Sequence, residues 1–148
     1  MGCDIHIFLE RKNQDNCWVD SMIYEHDRYE NGFQPLSEMP RNYTLFATLA
    51  GVRGYDPIVY PKGIPEDCSQ EYKKLCDDWG SDGHSHSYFT LRELLNAEQK
   101  CKIEDRKSSL NEFILHLKSI IKIVDYWLND ERIEENAERY RVCFFFDN

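Results

Sequence analysis

The chain has 148 residues, of which 41% are hydrophobic and 14% aromatic, and it carries a formal net charge of −9. This length suits one domain that buries a core without disulfide bonds or metal ions. The negative charge argues against general nucleic-acid binding, because phosphate neutralisation requires a concentrated basic face. No apolar run reaches the roughly 20 residues needed to cross a bilayer, and no secretory signal is present, so we expect no membrane insertion.

The six cysteines are spaced without any C-x-x-C pair. In the absence of a signal peptide, this pattern is typical of reduced thiols in a cytoplasmic protein.

Hydrophobic spacing predicts the elements of the first half of the chain. Alternation over 3–10 predicts a strand, a turn follows at 12–16, and residues 17–24 complete a hairpin. The glycine and prolines of 26–40 indicate a loop. Apolar residues at helical spacing predict helices over 42–50 and 69–79, with a loop at 51–65 between them and a stop at Gly80.

Polar signals and periodicity predict the second half. The run 81–87 indicates a loop. Two capping boxes, Thr90 with Glu93 and Ser109 with Glu112, predict the starts of two further helices, the second being the longest. Residues 140–146 are apolar on both faces, as in a central strand. The order predicts a single α+β domain over 1–148, with a small sheet that includes both terminal strands and packs against several helices.

The first candidate site residues are Asp4 and His6. Side chains two apart in a strand share a face, so these two should project together, opposite the aliphatic face of the same strand. A carboxylate beside an imidazole can fix its tautomer and raise its basicity, which suits general acid–base catalysis. The alternative is a histidine at a sheet edge beside an acid by chance.

The second candidate run is Asp82-Gly83-His84-Ser85-His86-Ser87. It offers several proton donors and acceptors around a glycine that permits a tight turn. The alternative is a hydrogen-bonded loop that leads into the helix at Thr90.

Two arginines, Arg41 and Arg53, flank the first helix and its glycine-rich loop, together with Lys62. Arginine forks suit phosphate or carboxylate groups, although a solvated surface charge is the alternative for each of them alone. The chain has no G-x-G-x-x-G and no Walker pattern, so the two strongest phosphate-binding signatures are missing from the sequence.

Several short runs occur together in a characteristic order: Met1-Gly2-Cys3-Asp4-Ile5-His6, Arg41-Asn42-Tyr43, Lys62-Gly63-Ile64-Pro65-Glu66-Asp67, Trp79-Gly80-Ser81-Asp82-Gly83-His84-Ser85-His86-Ser87 and Phe144-x-Phe146-Asp147-Asn148. They resemble a widespread family of small tailed-bacteriophage proteins that are described only as hypothetical. The resemblance covers both ends and most of the first 95 residues. It implies no established chemistry. It does imply a protein in the host cytoplasm during infection. Small phage proteins of that kind often act on the host, and one class binds or cleaves the nucleotide messengers of bacterial defence systems.

The leading hypothesis is metal-independent cleavage of a phosphodiester in a cyclic or ADP-ribose-type nucleotide. His6 and His84 serve as general base and acid, Asp4 orients His6, and Asp82 or Asp147 orients His84. The hypothesis requires both imidazoles to line one cavity. The expected ligand-binding residues combine two arginines, two hydroxyls, an imidazole, an indole and a carboxylate: Arg41, Arg53, Ser85, Ser87, His86, Trp79 and Asp147.

Three alternatives remain open. The protein binds and sequesters the same nucleotide without cleaving it, with Trp79, Tyr88 or Tyr55 stacking on the base. It holds a divalent metal at Asp4, His6, His84 and Asp147, although no other cofactor is expected. Or it inhibits a host factor by surface contact. Self-association is also left open.

Overall fold

The first and last strands of the chain pair with each other at the centre of the main sheet. The computed structural model describes residues 2–21, 24–26, 33–35 and 39–147. The described residues form six strands: β1 (Asp4–Lys12), β2 (Trp18–Asp20), β3 (Tyr24–His26), β4 (Phe33–Pro35), β5 (His84–Thr90) and β6 (Tyr140–Asp147). The main sheet has the antiparallel order β2-β1-β6-β5, and β3 pairs with β4 in a separate ribbon.

Helices cover both faces of this sheet. They are α1 (Tyr43–Ala50), α2 (Gln70–Trp79), α3 (Leu91–Lys100), α4 (Glu104–Val124) and α5 (Asp130–Glu135). Alternation along β1 and β6 sends Ile5, Ile7 and Phe144 to one side, where they pack with residues of α1, α3, α4 and α5. We call this side the core face. Phe8 and Phe145 point to the other side, where they pack with Tyr72 of α2, and we call it the α2 face.

The predicted α+β fold, with both terminal strands in one sheet, is confirmed. Three helix starts are also as expected, because Asn42, Ser69 and Thr90 each accept a hydrogen bond from an amide in the first turn of α1, α2 or α3. At Thr90 the full capping box with Glu93 is present. Gly80 ends α2 with a positive φ of 55°, a conformation that glycine adopts without a Cβ clash.

Four predictions about elements are wrong or incomplete. The run 81–87 is a short 3₁₀ turn followed by most of β5 rather than a loop. The longest helix begins at Glu104, so Ser109 lies inside it. Within the described part of the predicted return strand, Trp18–Asp20 pairs with β1. The predicted loop 26–40 contains β4, while its residues 27–32 and 36–38 lie outside the described part.

No helix in the described ranges is both long enough and apolar enough to cross a membrane.

Candidate functional site

A histidine–carboxylate pair joins the first and last strands on the α2 face. His6 Nε2 lies 2.7 Å from Asp147 Oδ2, and each of the two side chains is 21% exposed. Asp147 also accepts a hydrogen bond from the Asp4 amide through Oδ1, at 3.2 Å. The carboxylate is therefore fixed by the backbone of β1 while it orients the imidazole. This arrangement is the one by which an acid–base histidine is held in one tautomer.

The His6 ring is enclosed by two aromatic rings. The Trp79 ring at the end of α2 lies 4.3 Å away, centroid to centroid and tilted by 46°, and Phe145 stacks beside it at 5.0 Å. These contacts restrict the imidazole to one orientation, with one edge against Asp147. Phe145 was not among the predicted site residues. It is placed opposite His6 by the register of β1 and β6, which a single sequence does not reveal.

An arginine–aspartate pair lies next to the histidine–carboxylate pair of His6 and Asp147, which we call the dyad. Arg41 donates to both oxygens of Asp4, from Nε at 2.6 Å and from a terminal nitrogen at 3.1 Å. This contact lowers the pKa of the Asp4 carboxyl below its usual value. A Cβ on Gly2 would overlap the Arg41 guanidinium, so glycine at that position leaves room for the pair. The pair is largely exposed, and its charge is therefore accessible to a ligand in solution.

Arg53 and Tyr43 complete the basic side of the site. The Arg53 guanidinium lies over the Tyr43 ring at 5.5 Å, and the Tyr43 hydroxyl accepts a long hydrogen bond from the Cys3 amide at 3.4 Å. Arg53 has a φ of 62°, which is unusual for a residue with a side chain. Burial raises the pKa of the Cys3 thiol, and the positive charge of Arg53 offsets part of that rise. Tyr43 is a further residue that the predicted site omitted.

The expected pairing of acids with histidines is wrong. Asp147, and not Asp4, contacts His6, while Asp4 is bound by Arg41. The described contacts of His84 include neither carboxylate suggested for it. Its Nδ1 lies 3.0 Å from the Ser85 hydroxyl, and its Nε2 is buried without a partner. Asp82 is exposed in the 3₁₀ turn.

The expectation that His6 and His84 line one cavity is also wrong. His84 is paired with Phe146, whose ring lies 6.3 Å from the imidazole and packs into the core face. His6 pairs with Phe145 on the α2 face. The two imidazoles are therefore on opposite sides of the sheet.

His86 is the histidine of β5 that shares a face with His6. It stacks on the far side of Phe145 at 5.1 Å, so the phenyl ring separates the two imidazoles. Burial, together with the nearby His84, lowers the pKa of His86. The ring is thus held neutral at a pH where an ordinary histidine begins to be protonated.

The remaining predicted residues lie elsewhere. Ser87 is buried, and its hydroxyl accepts a hydrogen bond from the Lys62 amide at 3.2 Å. The Lys62 ammonium lies over the Tyr88 ring at 4.2 Å, whereas Arg41 contacts Asp4 and Arg53 contacts Tyr43. Tyr55 is covered by Arg106 at 4.1 Å. Among the proposed stacking residues, Trp79 is therefore the one that contacts His6.

No group of three or more histidine, cysteine or acidic side chains in the described ranges is arranged to hold a metal ion. The alternative ligand set Asp4, His6, His84 and Asp147 accordingly does not form such a group.

Comparison with protein-family models, curated proteins and solved structures finds no match to this chain.

Proposed function

We propose that this chain is a phage-encoded protein that binds a small nucleotide in the host cytoplasm and cleaves one of its phosphodiester bonds, with His6 as the proton-transfer group. The observation that carries the proposal is the 2.7 Å contact between His6 and Asp147 on an accessible sheet end. A general base gains from such a carboxylate, because the carboxylate stabilises the imidazolium that forms.

The dyad assigns a role to each nitrogen of the His6 ring. Nε2–H donates to Asp147, which leaves Nδ1 as the basic nitrogen. Nδ1 takes a proton from a water molecule as its oxygen attacks phosphorus. The bond from phosphorus to the leaving oxygen then breaks, and the same proton passes from the imidazolium to that oxygen. One histidine can thus serve first as base and then as acid, a contribution typically worth ~10²–10⁴-fold.

The surrounding residues fit recognition of an anionic nucleotide. Arg41, which is held by Asp4, supplies a cation beside the dyad, and Arg53 supplies a second cation over the Tyr43 ring. Guanidinium groups bind phosphate oxygens, and Arg41 keeps N–H donors that Asp4 does not use. The partly exposed Trp79 ring offers a surface on which a base can stack.

The first test compares matched histidine variants on a panel of cyclic dinucleotides and cyclic ADP-ribose derivatives. We expect His6→Asn to lower turnover by about 10²-fold or more, since it removes the proton-transfer group. His84→Asn should change turnover by less than about threefold, because His84 is on the other face. Chromatography of the reaction mixture measures both rates. Equal losses in the two variants would contradict the single-histidine scheme, and the absence of any product from the wild type would remove cleavage altogether.

A second candidate, sequestration without cleavage, is favoured by one specific observation. His6 has no second imidazole in contact among the described residues, since Phe145 separates it from His86. A site with one proton-transfer group and a stacking ring is also adequate for binding alone. Heat denaturation of the protein after incubation distinguishes the two functions: intact released nucleotide supports sequestration, and altered nucleotide supports cleavage.

A further inference from the structure

A cavity lies on the other side of the sheet from His6. It has a volume of about 650 Å³ and is formed by α3, the start of α4 and the chain around residues 58–59. Phe89, which belongs to the core face, forms part of its wall. The volume is within the range of about 300–1,000 Å³ that is typical of small-molecule sites.

The wall of this cavity is largely apolar. Ile58, Val59, Phe89, Ala97 and Ile103 line it. The amide of Ile58 donates to the carbonyl of Thr48 in α1 at 2.9 Å, which fixes this part of the wall against a helix. Val59 and Ile103 are 44% and 58% exposed, so water contacts apolar side chains at the opening of the cavity. An apolar body placed there would remove this surface from water.

Three cations surround the apolar wall: Lys100, Lys102 and Arg106. The two lysines are exposed, and neither has an ion-pair or hydrogen-bond partner among the described residues. Arg106 lies over the Tyr55 ring and donates to the Asp56 carbonyl, but its Nε is buried without a partner. The Arg106 guanidinium thus adds a third positive charge beside the two lysines.

The one acid that lines the cavity is already bound. One oxygen of Glu93 accepts a hydrogen bond from the Thr90 amide at 2.9 Å in the capping box, and the other oxygen lies 3.7 Å from the Lys62 ammonium. Glu104 and Asp105 in the first turn of α4 are exposed and do not line the cavity. A chain with a net charge of −9 thus has a local excess of positive charge around an apolar space.

We propose that this cavity is a binding site for an amphipathic anion, a small molecule with an apolar ring or chain and a phosphate, sulfonate or carboxylate head. The apolar body occupies the space between Phe89, Ala97 and Ile103. The head group pairs with the exposed ammonium groups of Lys100 and Lys102, beside the positive charge of Arg106. The site is separate from the His6–Asp147 dyad, and neither proposal depends on the other.

The test uses two fluorescent probes that share one ring system. Anilinonaphthalene sulfonate carries an anionic head, and N-phenylnaphthylamine lacks it. We expect saturable one-to-one binding of the anionic probe, with Kd raised about tenfold in the double variant Lys100→Gln, Lys102→Gln. The Kd of the neutral probe should be unchanged in that variant. Both residues are exposed and make no described contact, so the variant is expected to fold as the wild type does.

The matched control is the double variant Lys73→Gln, Lys74→Gln, which makes the same charge change on α2. It should leave both affinities unchanged.

A third variant, Val59→Trp, narrows the opening and should weaken the binding of both probes, while His6→Asn should weaken the binding of neither. Equal effects of the two lysine pairs would overturn the anion site, and unchanged binding by Val59→Trp would overturn the cavity as its place. Self-association that is reversed by the probe would identify a second copy of the chain as the occupant and would also overturn the proposal.

Discussion

At the scale of single residues, the most constrained charge is Glu10 on the α2 face. Glu10 has no exposed surface, and its two oxygens accept from Arg141 Nε at 2.9 Å and from the Ser69 amide at 2.6 Å. Arg141 in turn donates to Asp67 at 2.8 Å. The cluster joins β1, β6 and the start of α2, and each oxygen of the Glu10 carboxylate accepts a hydrogen bond. A buried charge is tolerated only under such conditions.

We expect Glu10→Gln to lower the free energy of unfolding by about 3 kcal/mol, because the buried Arg141 would then keep only the exposed Asp67 as a counter-charge. Urea denaturation followed by circular dichroism measures this change. Asp78→Asn provides the control, since it removes the acid of the exposed Lys74–Asp78 pair and should cost less than about 0.5 kcal/mol. Similar costs for both substitutions would show that the buried cluster adds nothing to stability.

The residues of the dyad show what local pattern can and cannot predict. Alternation in β1 correctly placed Asp4 and His6 on one face, because the period of a strand is a local property. The acid that contacts His6 is Asp147, at the other end of the chain. That contact depends on the register of β1 with β6, which is set by packing across the whole sheet.

At the scale of elements, β5 differs most from expectation. Its first residues are Gly-flanked histidines and serines, a composition that favours a loop, yet they pair with β6. His84 pairs with Phe146 and Ser87 with Phe144, so β5 contains one extra residue at this point. Ser85 has a φ of 55° in this bulge. Without the extra residue, His84 would lie opposite Asp147, on the same face as His6.

The backbone at Ser85 provides a test of this bulge. We expect Ser85→Val to be less stable than Ser85→Gly by about 1–2 kcal/mol, because a β-branched side chain disfavours the left-handed conformation. Both variants lose the same hydroxyl contact to His84, so their difference reports on the backbone. Thermal or urea unfolding measures it.

The control for Ser85 is the same pair of substitutions at the exposed Ser81, where φ is not positive. Valine and glycine should differ much less there. If Ser85→Val were as stable as Ser85→Gly, the bulge would not require the left-handed conformation.

The capping pattern in the sequence predicted the start of α3 correctly, because Thr90 is the N-cap residue of that helix. Ser109 carries the same local pattern but lies within α4, and its hydroxyl accepts from Asn42 at 3.3 Å. The helix begins earlier than the predicted cap, because Glu104 and Asp105 place negative charge in its first turn, where the helix dipole favours it. A capping pattern therefore predicts a helix more reliably than it predicts the first residue of that helix.

At the scale of the whole molecule, two histidines couple folding to pH. Burial lowers the pKa of His116 in α4, whose Nε2 has no partner among the described residues, and burial also lowers the pKa of His86. Below about pH 6.5, the ordinary pKa of histidine, the unfolded chain binds protons that the folded chain does not. The free energy of unfolding is therefore expected to fall as the pH decreases through this range.

We expect His116→Gln to reduce this pH dependence, since glutamine does not titrate. The measurement is the slope of the unfolding free energy against pH between about 7 and 5, from urea denaturation at each pH. Any overall change in stability from the substitution does not affect the slope. Glu112→Gln, an exposed change on the same helix, should leave the slope in this range unchanged. An identical slope for wild type and His116→Gln would show that His116 is protonated equally in both states.

The pairing of β1 with β6 has a consequence for how the chain reaches its native state on the ribosome. The hydrogen bond from Asp4 to Asp147 spans 143 positions, and β6 is the last of the described elements to be synthesised. Until β6 emerges, Ile5, Ile7 and Leu9 of β1 lack the strand that pairs along most of their length. The nascent polypeptide must therefore keep an aliphatic segment from aggregating throughout translation, and the main sheet closes only after its final strand leaves the exit tunnel.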